Sequence, residues 1–476
     1  MDDGRRPVAS DVLERIAQVM GPKGLMTDAG DMAPYVVDQR NFYQGTTPAV
    51  VRPASTEEVA TVLAICHETG TPIVPQGGNT GLCGGATPHE DGSELLISLT
   101  RMNNIREVDA LNFTLTAEAG VILSDIQKAA DDADRLFPLS LGAEGTARIG
   151  GNLSTNAGGT GVLRYGNARD LMLGLEVVLP DGRIWNGLSG LRKDNTGYDL
   201  KHLFAGSEGT LGIITAAVLK LFPKPRDVQT AFCAVRDADA TIEILSRARA
   251  SSDDRVTAFE WIAREGLELV FRHIPGTRDP ISDTYPEYLL IELTSGHEDG
   301  GLRDSLEAIL TDAMERGEVL DAVIAESRGQ SADFWKLRET LPEAQAIEAA
   351  SIKHDISVPV SKVPEFLRIA GAALNEAMAG IRICAFGHIG DGNLHYNVIK
   401  PVDLDEKVFK GRYEEINRIV HDIAVELNGS ISAEHGIGML KRDELAHYKS
   451  PVVLDIMRDL KSALDPKGIM NPGKVI

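Results

Sequence analysis

The sequence is poor in cysteine, with only Cys66, Cys83, Cys233 and Cys384 among 476 residues, and no two of them form a C-x-x-C pair. This spacing excludes the common iron–sulfur centres and a redox-active dithiol. Long apolar runs are also lacking: no stretch approaches the roughly 20 residues of a membrane span, and none follows residues 1–7 as in a secretory signal. We therefore expect a cytoplasmic protein with reduced, buried thiols.

Positive charge is scarce as well, since 48 Lys and Arg residues face 70 Asp and Glu residues and the net charge is −22. Like charge repels at the distances where encounter begins, so nucleic acid and anionic membrane surfaces are unfavourable partners. An anionic small-molecule substrate would need a local cluster of Arg, Lys or a metal ion. The length and the 43% hydrophobic content predict two or three cores.

The first regular pattern after the N-terminus is strand, helix, strand within about 30 residues, which is typical of an α/β unit. Residues 49–53 and 72–75 read as short strands. Between them, Ser55 and Glu58 form a capping-box pattern at the start of a helix, and Gly70 marks its end.

Glycine, in contrast, is concentrated in three tracts. Five glycines occur in the nine positions 77–85, which favours a nest of backbone amides for a pyrophosphate, although the tract is neither G-x-G-x-x-G nor a Walker loop. A second tract, 138–161, has the small residues that let backbone lie against a planar ligand such as a flavin. A third, 206–214, leads into a strand. A flexible glycine loop remains the alternative for the first tract alone.

Near the C-terminus, two segments together predict a metal site. His388 and His395 flank a Gly-Asp-Gly turn, and Glu434 could return as the carboxylate of a two-histidine, one-carboxylate site with an open position. Strand alternation places His395 and Asn397 on one face. We expect adjacent residues to point apart, so that Glu434 binds the metal while His435 faces the substrate as a base.

Six segments carry a resemblance to a known family: PQGGNTGLCGGA, IGGNLSTNAGG, GYDLKHLFAGSEGTLGIIT, FGHIGDGNLHYN, SAEHGIGMLKR and DPKGIMNPGKVI. Over nearly its whole length the chain resembles the FAD-dependent D-2-hydroxy-acid dehydrogenases of the vanillyl-alcohol oxidase superfamily, most closely the branch that oxidises D-2-hydroxyglutarate. The resemblance implies an α+β fold, with a vanillyl-alcohol-oxidase-type FAD-binding domain of two α/β subdomains over residues 1–225. A separate α/β substrate and metal-binding domain would follow over 226–429, and a C-terminal segment, 430–476, would return to the flavin domain.

The same resemblance implies that FAD is bound non-covalently, because the first glycine tract lacks the histidine to which some relatives attach it. The residues that it implies for FAD are Pro75, Gly77, Gly78, Asn79, Thr80, Gly81, Leu82, Gly145, Gly150, Gly151, Asn152, Asn156, Gly158, Gly161, Glu208, Gly212, Ile213, Ile214 and Asn471.

For the substrate, the resemblance implies Arg338 and Lys353 as cations, with Asn397 and His435 beside the metal. Arg supplies a bidentate fork and Lys a point charge. The chain departs from the family four residues after Arg338, where Pro342 stands in place of a threonine that can help to bind the substrate.

The function implied is FAD- and metal-dependent oxidation of D-2-hydroxyglutarate, or of a close dicarboxylate such as D-malate, to the 2-oxo acid. The hydride would pass to flavin N5, the metal is expected to be Zn²⁺, and electrons would go to a separate acceptor such as an electron-transfer flavoprotein. A homodimer is possible. The alternatives are a D-lactate dehydrogenase or glycolate oxidase flavin subunit, a zinc hydrolase whose glycine loops are structural, and a non-catalytic flavin scaffold.

Overall fold

A computed structural model describes residues 7–298 and 301–476 of the chain and divides it into two compact units. Unit 1 consists of Met1–Ala157, Asn167–Lys224 and Glu434–Ile476, of which residues 1–6 lie outside the described part. Unit 2 consists of Gly158–Gly166 and Pro225–Ala433. The nine residues 158–166, which the sequence analysis assigned to the first domain, thus group with unit 2. Among the described residues, no helix is both long and apolar enough to reach across a bilayer.

Unit 1 combines a four-stranded mixed sheet, a five-stranded antiparallel sheet and a two-stranded ribbon. Its strands are β1 Leu25–Met26, β2 Val50–Val51, β3 Ile73–Gln76, β4 Leu95–Ser98, β5 Ile105–Asp109, β6 Thr114–Glu118, β7 Arg135–Leu136, β8 Met172–Val178, β9 Ile184–Gly187, β10 Ile213–Lys220 and β11 Phe222–Pro223. Its helices are α1 Ser10–Gly24, α2 Ala29–Met32, α3 Thr56–Thr69, α4 Leu123–Asp132, α5 Ile149–Thr155, α7 Lys201–Phe204, α16 Arg442–Tyr448 and α17 Pro451–Leu464, with a 3₁₀ turn at Ala33–Tyr35.

In unit 1 the strand orders are β1-β2-β4-β3, β5-β6-β10-β8-β9 and β11-β7. Helix α3 is the crossover between β2 and β3, which lie on either side of β4 and run parallel to it, and its ends are those expected from local chemistry. Ser55 accepts a hydrogen bond from the Glu58 amide at 3.2 Å, and Gly70 ends the helix with a φ of 70°. The C-terminal segment then adds a short parallel bridge, Met470 to Ile73, at the edge of the same sheet.

Unit 2 is built on one antiparallel sheet of eight strands, in the order β15-β12-β14-β13-β18-β19-β16, with β17 also paired to β19. The strands are β12 Asp227–Val235, β13 Val256–Ala263, β14 Glu287–Ser295, β15 Val319–Ile324, β16 Ser351–Ile352, β17 Asp355–Ser357, β18 Arg382–Gly387 and β19 Asn393–Ile399. The helices are α6 Val162–Tyr165, α8 Ala238–Ser251, α9 Arg264–His273, α10 Leu302–Glu315, α11 Arg328–Glu339, α12 Leu341–Glu348, α13 Val363–Ala377, α14 Glu406–Lys410 and α15 Tyr413–Glu426, with a 3₁₀ turn at Val360–Lys362.

Both faces of the unit 2 sheet are covered by helices, because alternate strand residues are apolar on each side. Helices α8, α10, α13 and α15 pack on one face, over a core that includes Phe366 and Tyr396. Helices α9, α11 and α12 pack on the other, over a core that includes Phe232, Tyr288 and Phe386. The polar residues of the candidate site interrupt this second face.

Candidate functional site

The centre of the candidate site in unit 2 is a carboxylate that the sequence analysis missed, Glu260 in β13. Glu260 is fully buried. One carboxylate oxygen lies 2.7 Å from His388 Nδ1, and the other accepts a hydrogen bond from Arg338 Nε at 2.8 Å. Although burial by itself raises the pKa of a carboxyl, the electrostatic interactions and hydrogen bonds with His388 and Arg338 lower that of Glu260 to about 2.

The aromatic ring of Phe386 packs against both Arg338 and the second histidine, His395. Arg338, only 6% exposed, places its guanidinium carbon 4.7 Å from the centre of the Phe386 ring. The ring centre of Phe386 lies 5.0 Å from that of His395, and the rings of His388 and His395 meet edge to face at 5.7 Å. The structure therefore brings together Arg338, His388 and His395, three of the residues predicted for the site.

The turn between β18 and β19 sets the position of the two histidines. Gly392 has a φ of 85°, and a Cβ at that residue would lie 2.0 Å from the carbonyl oxygen of Val358. Only glycine fits there without a shift of the backbone. Within the same turn, burial raises the pKa of Asp391 to about 6. The second glycine of the Gly-Asp-Gly turn, Gly392, is thus required by both backbone conformation and space.

Asn397, predicted to contact the substrate, is held by a buried amide from α12. Its Nδ2 donates to Gln345 Oε1 at 2.8 Å, and Gln345 Nε2 lies 2.7 Å from the sulfur of Cys384. Burial raises the pKa of Cys384 to about 12, while the charge of Lys353 acts in the opposite direction, so Lys353 lies within electrostatic range of this thiol. Pro342 occupies the first turn of α12 and is exposed.

A further carboxylate that sequence reasoning missed, Asp355, supports the second histidine. Asp355 is 2% exposed, its Oδ1 accepts from Asn393 Nδ2 at 3.0 Å, and it lies 3.9 Å from His395 Nδ1. Strand pairing explains this arrangement, because Asp355 in β17 is the direct partner of His395 in β19. Asp355 is therefore a carboxylate directly beside the ring of His395, at a distance longer than a hydrogen bond.

Two potential metal ligands, Asp355 and His395, lie in unit 2, and two more, Glu434 and His435, begin the C-terminal segment of unit 1. Within each pair the ligand atoms are no more than 4.8 Å apart. Ala433, the last residue of unit 2, donates its backbone amide to the Asp355 carbonyl at 3.2 Å. The donor set of imidazoles and carboxylates suits Zn²⁺ or a similar divalent ion. His388, predicted as the third ligand, is outside this group of four.

The expectation that Glu434 and His435 point apart is wrong, since ligand atoms of both fall within that distance. Strand alternation does not apply to them, because they lie in a bend rather than a strand, and Gly436 follows with a φ of 76°. The assignment of Glu434 as metal ligand and His435 as base therefore rests on the chemistry of a carboxylate and an imidazole. It does not rest on side chains that point in opposite directions.

In unit 1 the three glycine tracts approach one another. A Cβ built on Gly77 would lie 3.5 Å from the amide nitrogen of Gly151, and one on Gly209 would lie 2.4 Å from Pro75. The amide of Glu208 donates to Ser154 O at 2.8 Å, which ties the third tract to the second. Asn471 joins them from the C-terminus.

The unit 1 tracts have features that fit a large, polar, flat ligand such as FAD. Close packing excludes a side chain at Gly78, where a Cβ would lie 2.3 Å from Thr146 O. Within the described part of the chain, Asn152 Oδ1, Asn471 Oδ1 and Arg148 Nε are buried without a hydrogen-bond partner. Buried polar atoms are rarely left unpaired, so these three are suited to a bound cofactor. Of the residues predicted for FAD, Gly158 and Gly161 belong instead to unit 2.

Glu208 makes contacts that differ from the expected cofactor role. Its carboxylate accepts from the amides of Ile437 at 2.7 Å and Gly438 at 2.9 Å, and burial raises its pKa. Asn471 Nδ2 donates to the carbonyl oxygens of Glu208 and Gly85. Glu208 therefore anchors the segment that directly follows His435.

Comparisons with known families cover most of the chain. Residues 47–187 match the family described as FAD binding domain, and residues 224–475 match the family described as FAD linked oxidases, C-terminal domain. The first match covers the first two glycine tracts, and the second covers His388, His395 and His435.

Several proteins of known identity are similar to this chain over nearly all of its length. The mitochondrial D-2-hydroxyglutarate dehydrogenase of Arabidopsis thaliana is 38% identical over 96% of this chain and 80% of its own. The mitochondrial enzyme of that name from Bos taurus is 38% identical over 98% of this chain and 84% of its own. The D-2-hydroxyglutarate dehydrogenase of Xanthomonas citri pv. viticola is 37% identical over 95% of this chain and 94% of its own.

Solved structures with a similar fold include p-cresol methylhydroxylase with substrate bound, with a TM-score of 0.77, 17% identity and coverage of 98% of this chain and 96% of that one. A structure of alkyldihydroxyacetonephosphate synthase gives a TM-score of 0.75, 19% identity and coverage of 98% and 86%. At such identities the likeness concerns the fold alone. The α+β fold class and the flavoprotein architecture predicted from the sequence are confirmed.

Proposed function

The chain belongs to the family of FAD-linked oxidases and is an FAD-dependent hydroxy-acid dehydrogenase, and from this premise we propose that it oxidises D-2-hydroxyglutarate to the 2-oxo acid. The observation that carries the proposal is the match to D-2-hydroxyglutarate dehydrogenases at 37 to 38% identity over 95 to 98% of the chain. D-malate, a shorter dicarboxylate with the same 2-hydroxy-acid end, is the second substrate that we propose.

Arg338 and Lys353 would bind the carboxylates. Because Arg338 uses Nε for Glu260, its Nη groups are the donors that remain for a substrate anion. Asn397, fixed by Gln345, would hold the 2-hydroxy-acid end beside the histidines. These residues come from α11, β19 and the segment between β16 and β17, and the unit 2 sheet holds them in place, which favours a preorganised site.

His388, His395 and Glu434 would hold the metal ion, for which we propose Zn²⁺, with Asp355 beside them. When bound, such an ion supplies a Lewis acid that lowers the pKa of the substrate hydroxyl. His435 would remove the hydroxyl proton. FAD, held non-covalently by the unit 1 tracts, supplies a hydride acceptor at N5.

Electrons must then leave the flavin. Since no cysteine pattern for an iron–sulfur centre is present in the sequence, we propose a separate acceptor such as an electron-transfer flavoprotein. We also propose a cytoplasmic location, supported by four buried cysteines none of which, within the described residues, forms a disulfide. A homodimer is the assembly proposed, to be tested by light scattering.

The decisive experiment is turnover with an artificial electron-accepting dye and a panel of D- and L-2-hydroxyglutarate, D-malate and D-lactate. We expect the D-dicarboxylates to be oxidised with a higher kcat/KM than D-lactate. Equal efficiency with D-lactate would replace the assignment with a lactate or glycolate enzyme.

Lys353→Met tests the role of charge in this choice. Because charge-assisted hydrogen bonds contribute roughly 1.5 to 3 kcal/mol, it should lower kcat/KM for D-2-hydroxyglutarate by about one to two orders of magnitude and affect D-lactate much less. Lys362→Met is the matched control, since Lys362 pairs with Glu365 at the surface. Equal losses with both substrates would contradict a contact between Lys353 and the distal carboxylate.

A further inference from the structure

Glu260 contacts one residue proposed to bind the metal and another proposed to bind the substrate. We propose that it is a positioning residue, which keeps the ring proton of His388 on Nδ1, so that Nε2 carries the lone pair for a metal, and which holds Arg338 with its Nη groups available to the substrate. This inference rests on the proposed function and deepens it. No sequence motif pointed to Glu260, whose two partners are 78 and 128 residues away.

The first part of the argument concerns the proton on His388. An ionised carboxylate can only accept hydrogen bonds, so the 2.7 Å contact between Glu260 Oε1 and His388 Nδ1 requires the proton to be on Nδ1. The lone pair of a neutral ring is then on Nε2, which makes Nε2 the ring atom that can bind a metal. Histidine ligands commonly donate their other N–H to a carboxylate, which fixes both the tautomer and the ring orientation.

The second part concerns the orientation of Arg338. The guanidinium is fixed at Nε by Glu260 Oε2 at 2.8 Å and over one face by the Phe386 ring at 4.7 Å. Two such constraints define the plane of the group and leave its Nη donors as the free edge of the fork. Because α11 carries Arg338 and β13 carries Glu260, loss of this contact would release the side chain without removing its charge.

An amide cannot replace the carboxylate in this position. Both partners of Glu260 present N–H donors, whereas a glutamine offers one acceptor oxygen and one NH₂ donor. In Glu260→Gln the NH₂ would face either Arg338 Nε, donor against donor, or His388 Nδ1, which would then have to accept. The second arrangement moves the ring proton to Nε2 and blocks metal binding there.

The test is the affinity of the FAD-loaded protein for Zn²⁺ alone, measured by competition with a chromophoric chelator, which needs no turnover. We expect Glu260→Gln to weaken Zn²⁺ binding by about 10- to 100-fold. Glu260→Asp keeps the charge on a shorter side chain and should lie closer to the wild type. Flavin absorbance and circular dichroism verify that each variant is folded. If Glu260→Gln does not fold, the Zn²⁺ affinity of Glu260→Asp is measured in its place.

The matched control is Glu292→Gln. Glu292 lies in the neighbouring strand β14 and accepts from Trp335 Nε1 at 2.8 Å, on the same helix α11, but its side-chain partners are neutral donors, which include the hydroxyl of Thr230 at 3.2 Å. Glu292→Gln removes a second carboxylate that holds α11 and leaves the contacts of His388 unchanged. Zn²⁺ affinity should therefore change by no more than about twofold. An equal loss in both variants would show a general structural effect and overturn the proposal.

A double-mutant cycle tests the Arg338 part. If Glu260 orients Arg338, then Arg338→Met should reduce kcat/KM for D-2-hydroxyglutarate less in the Glu260→Gln background than in the wild type. If the two substitutions lower kcat/KM by independent factors that multiply, the proposed orientation of Arg338 by Glu260 is overturned. Unchanged Zn²⁺ affinity in both Glu260→Gln and Glu260→Asp would overturn the His388 part, whereas a wild type that binds no Zn²⁺ would refute the metal site of the proposed function itself.

Discussion

The ion cluster around Glu348, at the end of α12, gives a prediction whose size follows from the structure. Its carboxylate contacts His273 Nε2 and Arg382 Nη1, both at 2.6 Å, and Arg272 Nη1 at 3.0 Å. The side chain is 14% exposed. These hydrogen bonds, that of His273 first, lower the pKa of Glu348 from 4.5 to about 2. Glu348→Gln removes the charge but keeps the shape.

A pKa difference of about 2.5 corresponds to about 3.4 kcal/mol at 1.36 kcal/mol per pKa unit. This value is an upper limit for the contribution of the Glu348 charge to the free energy of unfolding. The partner Arg272 is 56% exposed. Solvent screens such a pair, so we expect Glu348→Gln to cost about 1 to 2 kcal/mol of unfolding free energy for unit 2 at pH 7.

The pH dependence has a definite sign. Because the folded-state pKa is lower than the ordinary value, the stabilisation is fully present above pH 4.5 and is lost as the pH falls from 4.5 towards 2. Urea unfolding followed by tryptophan fluorescence suits the measurement, since Trp261 and Trp335 both lie in unit 2. Glu343→Gln, exposed on the same helix, is the control and should change stability by no more than about 0.5 kcal/mol. A difference between wild type and Glu348→Gln that stays constant from pH 7 to pH 3 would refute the reasoning.

Three further predictions concern the cofactors. Treatment with a chelator should abolish turnover and leave the yellow flavin bound, and joint loss of flavin and metal would contradict separate sites for the two. His435→Ala should lower kcat by about 10²- to 10⁴-fold with little loss of metal, whereas Glu434→Ala should lose metal first; equal metal loss would show that the two roles are wrongly divided. Gly78→Ala should lose flavin, because its Cβ would lie 2.3 Å from Thr146 O, whereas Gly142→Ala, with nothing within 4 Å, should retain it in an absorbance assay.

The elements that could be predicted from the sequence are those that local chemistry determines. The capping pattern of Ser55 and Glu58, with Gly70 behind it, predicted both ends of α3. The two-residue period predicted β19, observed as Asn393–Ile399, with His395 and Asn397 on one side. In each case the residues that decide the structure are neighbours in the chain, so their pattern carries the information.

The residues that support the site could not be predicted in this way, because their partners are brought in by strand pairing and helix packing. Glu260 is a single carboxylate in the strand Val256–Ala263, and its position depends on β13, β18 and α11 together. One signal was present: an ionisable residue in the middle of an apolar, buried strand must have partners, since an unpaired buried charge is costly. Asp355 depends in the same way on the pairing of β17 with β19.

Glu260 also changes the argument for substrate choice. Two cations, Arg338 and Lys353, beside a metal ion would exceed what a monocarboxylate needs, and an uncompensated surplus would by itself favour a dicarboxylate that neutralises it. In the structure Arg338 already has a buried carboxylate partner at 2.8 Å, so its charge is compensated before any substrate binds. The gain from a second substrate carboxylate must therefore come from directed hydrogen bonds to the Nη edge of Arg338 and to Lys353, and not from a surplus of positive charge. It follows that discrimination between D-2-hydroxyglutarate and D-lactate should depend on the orientation of these groups and survive an increase in salt, because oriented contacts of buried groups are screened far less than a general attraction.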